Sequence, residues 1–123
     1  MAISSTTLDA RFSNKIIVDT DIDETPTVAI SGASSGSVYF VQLVSGSTSQ
    51  TNYFKIFDAG EITLGTTAPI FQLRIPASTT INCVISSGIT YSTALTMACQ
   101  QDQGTSSGTG PTGATVTTRV VAS

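Results

Sequence analysis

Ile70-Phe71-Gln72-Leu73-Arg74-Ile75-Pro76 alternates apolar and polar side chains until a proline closes the run. In a pleated strand successive side chains point to opposite faces. Phe71, Leu73 and Ile75 therefore share a buried face, Gln72 and Arg74 meet water, and Pro76 ends the ladder because it has no amide hydrogen. The same signature recurs on either side of this half-buried strand. Tyr53–Phe57 (YFKIF) precedes it, followed by a turn at Asp58-Ala59-Gly60 and a short strand at Glu61–Leu64. Ser37–Val44 (SVYFVQLV) carries apolar residues on both faces, the mark of a strand covered on two sides. Lys15–Asp19 and Thr25–Ser31 flank an acidic turn and make a plausible first pair, with Pro26 limiting the second to a start or an edge. Downstream, Thr80–Ile85 puts Ile81, Cys83 and Ile85 on one face, and Ser86-Ser87-Gly88 is expected to turn the chain. Ile89–Cys99 then alternates large residues against the uniformly small face Thr90, Ser92, Ala94, Thr96 and Ala98. Thr115–Val121 supplies a last strand.

Composition agrees with that pattern. The 123 residues include 17 Ser and 21 Thr beside 13 charged side chains, with no His and no Trp. Thr, Val and Ile favour pleated, half-buried positions, and the charged helix formers are scarce. The fold class read from the sequence is all-β: a single-domain antiparallel β-sandwich or jelly-roll-like barrel of about eight strands. Residues 1–14 are read as an N-terminal arm. Residues 15–123 form the sandwich domain, and the Gly/Ser/Thr-rich stretch at 100–113 (QQDQGTSSGTGPTG) is read as a flexible loop.

The same counts restrict the chemistry. Without His, a Ser-His-Asp or Cys-His triad and any imidazole-dependent metal site are excluded. The net charge of −3 and five scattered cations give no footprint for a phosphate backbone, so no nucleic-acid partner is expected. The N-terminus lacks the basic and apolar regions of a signal peptide, and no apolar run approaches the ~20 residues of a membrane span. The protein is expected to be made in a cytoplasm, not secreted by a signal peptide, and to have no membrane partner. Gly32-Ala33-Ser34-Ser35-Gly36 matches the nucleophile elbow literally, but a strand pattern follows where the elbow needs a helix. Gly108 to Gly113 matches G-x-G-x-x-G, with Pro111 and a β pattern where a helix N-terminus belongs. Asp19, Asp21, Asp23 and Glu24 could offer oxygens to a cation, yet the EF-hand pattern fails at its glycine and its last glutamate. Cys83 and Cys99 read as two reduced, core-facing thiols. No enzymatic activity and no cofactor are expected.

Two regions carry a resemblance. Tyr53-Phe54-Lys55-Ile56-Phe57-Asp58, then Gly65-Thr66-Thr67-Ala68-Pro69, then Gly88-Ile89-Thr90-Tyr91-Ser92-Thr93-Ala94-Leu95 resemble, in that order, a "Y-x-K-x-[FY]-D" strand, a "G-T-T-x-P" turn and a "G-[IL]-x-[FY]-[ST]-T-[GA]-L" strand of small structural proteins of tailed bacteriophages. Ala94 departs from the expected glycine. Residues 53–99 carry the likeness, and its motifs are structural rather than catalytic. The resemblance implies a virion location and, by size and β content, a capsid cement or decoration protein that binds the major capsid protein as a homo-oligomer, commonly a trimer. A neck, tail or fibre β domain, or a receptor- or carbohydrate-binding adhesin module, is the alternative. The small face at Thr90, Ser92, Ala94, Thr96 and Ala98 is the expected oligomer or capsid contact, since small side chains allow close approach.

Overall fold

Strands that bury one face must pair and then stack, and this chain does so in two sheets. The computed structural model describes residues 3–7, 15–28 and 30–123. Eight strands follow in order: β1 (Ile3–Thr7), β2 (Lys15–Asp19), β3 (Gly36–Ser45), β4 (Asn52–Asp58), β5 (Phe71–Ile75), β6 (Thr80–Tyr91), β7 (Leu95–Gln100) and β8 (Val116–Ala122). The larger sheet has the order β1-β2-β8-β3-β6 and the smaller β5-β4-β7, and every pair is antiparallel. Neither sheet closes on itself, so the fold is a β-sandwich rather than a barrel.

The core lies between the inner faces. Ile17 of β2, Val41 and Leu43 of β3, Phe54 and Ile56 of β4, and Val116 and Val120 of β8 are buried there. Phe71 and Leu73 pack against this core, Ile75 is buried in it and Arg74 is exposed, as the opening alternation requires. Ile81, Cys83 and Ile85 of β6 pack on it from the edge.

Four expectations need correction. Thr25–Ser31 is not a strand paired with β2, whose neighbours are β1 and β8. Pro26 cannot donate to a ladder, and the segment instead crosses to the free edge of β7. There Thr27 bridges Met97, and the Ile30 amide donates to the Leu95 carbonyl at 3.0 Å. Glu61–Leu64 is turn, with the Thr66 and Thr67 amides both donating to the Thr63 carbonyl. Ser86–Gly88 does not close a hairpin, because β6 runs through it. The break comes later, at Ser92 to Ala94, so Ile89–Cys99 holds the end of one strand and all but the last residue of another in the opposite sheet. Part of the expected arm, Ile3–Thr7, is the edge strand β1 of the larger sheet; the rest of residues 1–14, apart from the backbone already named, lies outside the described residues.

Candidate functional site

On the larger sheet, core-facing side chains alternate with outward ones. Because Val41 and Leu43 point inward, Phe40, Gln42 and Val44 point outward, and the same parity turns Ile16, Val121 and Val84 out. The register then sets Ile16 beside Val121, Val121 beside Phe40, and Phe40 beside Val84, an apolar row crossing β2, β8, β3 and β6. Ile16, Val121 and Phe40 are half-buried, while Val84 is 75% exposed. The next row is polar and tied together: Arg119 Nη1 donates to Gln42 Oε1 at 3.0 Å, and Gln42 Nε2 to Asn82 Oδ1 at 2.9 Å. All three strands of the smaller sheet pack on the opposite face. Among the described residues, no strand is left to cover the apolar row. At its end β6, twelve residues without a charge, is an open sheet edge.

The five contact residues expected from sequence do not form one surface. Thr90 and Ser92 are exposed, but Ala94 is 6% exposed and Thr96 and Ala98 are fully buried. Thr96 Oγ1 donates to the Ala59 carbonyl at 2.6 Å, so the chain's own connection after β4 covers the small face that was expected to meet a partner. The uncovered apolar row at Phe40 and Val84 was not among those five residues. Its signal was present, since SVYFVQLV is apolar on both faces and, among the described residues, strands cover only one of them.

Two of the three stretches quoted for the phage likeness meet in space. Asp58, ending β4, accepts from the backbone amides of Ser92 at 2.9 Å, Thr93 at 2.7 Å and Ala94 at 3.2 Å. Those amides favour the ionised form and hold the Asp58 carboxyl below its ordinary value. Gly65, at φ +87°, turns the intervening connection and lies against Ser107. Lys55 is fully buried on the outer face of β4, where Nζ donates to Gln100 Oε1 and to the Gly104 carbonyl, both at 2.7 Å. Burial lowers its pKa, and the nearby Asp102 opposes that shift. Gln100 Nε2 in turn donates to the carbonyls of Ser106 and Gly108, while Gln72 Oε1 receives the Gly104 amide at 2.6 Å. The 100–113 stretch has no regular structure after β7 ends at Gln100, but side chains of the smaller sheet bond it at Gly104, Ser106 and Gly108.

Elsewhere, Ser34 is exposed in the turn before β3, and Lys15 Nζ donates to the Ser31 carbonyl. The buried Ser31 Oγ lies 2.7 Å from Tyr91 Oη, which donates to the Ser123 carbonyl at 2.5 Å and so fixes the C-terminal strand. Asp19 is fully buried at the end of β2, where desolvation pushes its carboxyl up to about 6. Its Oδ1 accepts the Asp21 amide at 3.1 Å. Asp23 and Glu24 turn the other way: Asp23 Oδ1 accepts the Thr25 amide, and the Glu24 carboxylate lies over Gly110. Among the described residues, no three acidic or thiol ligands stand together. No described helix could cross a membrane. A shallow polar hollow of about 270 Å³ is lined by Gly46 to Ser49 and Thr112 to Ala114.

No protein-family model, curated protein or solved structure matches this chain.

Proposed function

We propose that this chain is a non-enzymatic structural protein of a tailed-bacteriophage virion, and within that class a capsid cement protein. It docks on the major capsid protein as an oligomer, a trimer by the resemblance, and stabilises the shell. The observation that carries this reading is the apolar row Ile16, Val121, Phe40 and Val84 on a sheet face that the described strands leave uncovered. Water-exposed aliphatic groups gain free energy when a complementary surface covers them. A rigid sheet loses little conformational entropy on docking. In the polar row beside it, Gln42 bonds both Arg119 and Asn82, so part of that row is already paired within the protein when a partner covers the apolar row. Cement function needs no strong single site, because modest contacts repeated over many copies add up across the shell.

Substitution of Val84 tests it. A strand-edge residue that is 75% exposed tolerates Glu without unfolding the subunit, so Val84→Glu is expected to keep the wild-type circular dichroism spectrum while reducing occupancy on capsids at least tenfold. Wild-type occupancy of a folded Val84→Glu variant would contradict this docking face. The alternative, a neck, tail or fibre domain, is separated by copy number.

A further inference from the structure

One end of the sandwich interior gathers polar atoms that the protein itself does not satisfy. Asp19 Oδ2, Thr118 Oγ1, both polar atoms of the Asn52 amide, and Ser45 Oγ are buried without a hydrogen-bond partner. Asp19, Thr118 and Asn52 are each fully buried. The topology places them together. Asp19 and Thr118 are directly paired across β2 and β8, and both side chains point inward, a relation that sets Cβ atoms about 5 Å apart. Ser45 ends β3 opposite Val116, two residues from Thr118 on the same strand face. The connection from Ser45 crosses to the other sheet and enters it at Asn52, which shares the inward parity of Phe54 and Ile56. The Gly46 amide donates to the Thr115 carbonyl and the Ile22 amide to the Val116 carbonyl, so the end of β3, the start of β8 and the segment after β2 lie at one level; Asn52 pairs with Ile75 at the end of β5, and the Thr79 carbonyl just beyond it accepts the Ser45 amide, which brings the start of β4 to the same end.

Buried polar atoms in native proteins find partners, and a buried carboxylate needs its charge answered as well. A water molecule would satisfy the hydroxyls and the amide but not the charge. Asp21 and Asp23 follow on the same segment and add to the negative field at Asp19. All the unpartnered acceptors are oxygens, the donor set of a hard cation rather than of zinc or another thiophilic metal. We propose that this end of the sandwich binds one divalent cation of the calcium class, ligated by the Asp19 carboxylate, Thr118 Oγ1, Asn52 Oδ1 and Ser45 Oγ, with water completing the shell. With a single buried carboxylate the affinity falls at the weak end for such sites, a Kd of about 10⁻⁴–10⁻³ M. The ion would join β2 and β8 of one sheet to β4 of the other, so that binding stabilises the fold.

The test is thermal unfolding of chelator-treated full-length chain with millimolar CaCl₂, against NaCl at matched ionic strength. Calcium is expected to raise the midpoint by about 3–6 °C, with magnesium giving a smaller shift because it resists dehydration. Asp19→Asn should abolish the calcium shift. Thr118→Val, which preserves shape and removes one ligand, should reduce it, and this variant decides the matter if Asp19→Asn does not fold. No calcium shift beyond the salt control would assign these atoms to ordered water and overturn the proposal. A shift undiminished in both variants, or in Thr118→Val alone where Asp19→Asn does not fold, would place binding on surface carboxylates and overturn it equally.

Discussion

Asp58 shows how one side chain can decide where a strand stops. Its carboxylate takes the amides of Ser92, Thr93 and Ala94 and so ends the run that the alternation of Ile89 to Cys99 extends. Because its pKa is depressed in the folded protein, its contribution is present above the ordinary carboxylate value and is lost as pH falls through the native one. Asp58→Asn is therefore expected to lower the thermal midpoint at pH 7 and to lose part of the midpoint's decline below about pH 4, as read by unfolding scans across pH. Equal declines in both proteins would count against that role. Nothing in the spacing of a linear sequence joins residue 58 to residues 92–94, so this lock was not legible. The thiols were: Cys83 and Cys99 are both free, and they lie in different sheets. Burial pushes the Cys99 thiol up to about 12, so alkylation of the native protein at pH 8 is expected to modify half-buried Cys83 and spare Cys99 until unfolding. Peptide mass mapping reads the difference, and equal modification of the two would contradict the described burial.

Turn residues misled where they serve a bulge, and this sets the limit of sequence reading at the scale of elements. Ser86-Ser87-Gly88 looked like a hairpin, but β6 passes through it and the register with β3 jumps between Val38 opposite Ile89 and Phe40 opposite Val84. Gly88 sits there at φ +76°, and a Cβ on it would meet Ser37 Cβ at 2.9 Å and Tyr39 Cε1 at 3.0 Å. Gly within a strand often marks a bulge of this kind. Gly88→Val, forced into a left-handed backbone, is expected to cost about 1–3 kcal/mol in chemical denaturation, whereas Gly60→Ala, with open space around its Cβ position, should be close to neutral. The strands with clean alternation were legible because burial on one face writes itself into the sequence. The anchors of the 100–113 stretch were not, because they are side chains far along the chain, Lys55 and Gln72 among them. Gln100→Leu removes an acceptor for Lys55 and two donors to the loop. It is expected to speed amide exchange across residues 101–110, with a loss of about 1–3 kcal/mol from the buried groups left unpaired; exchange unchanged from wild type would show that the loop is held by other means.

At the scale of the whole molecule, β3 reads in sequence as covered on both faces, yet the described strands cover one. β3 packs its Val41 and Leu43 face on the smaller sheet and leaves Phe40 in an apolar row that ends at exposed Val84. The small-residue face that the sequence suggested for this purpose is used internally, with Thr96 and Ala98 fully buried. Both faces looked equally available in one dimension, and only the path of the connections after β4 and β7 separates them. Asp58 ties the end of β4 to the break between β6 and β7, and so links the two sheets, while Lys55 ties β4 to Gln100 and Gly104. The most direct measurement of the central claim is the copy number of this chain in purified virions of its source, by quantitative mass spectrometry against the major capsid protein. A shell cement is expected at hundreds of copies per particle, in fixed ratio to the capsid subunit; a few to a few tens would move the chain to the neck, tail or fibre, and its absence would contradict a virion role altogether.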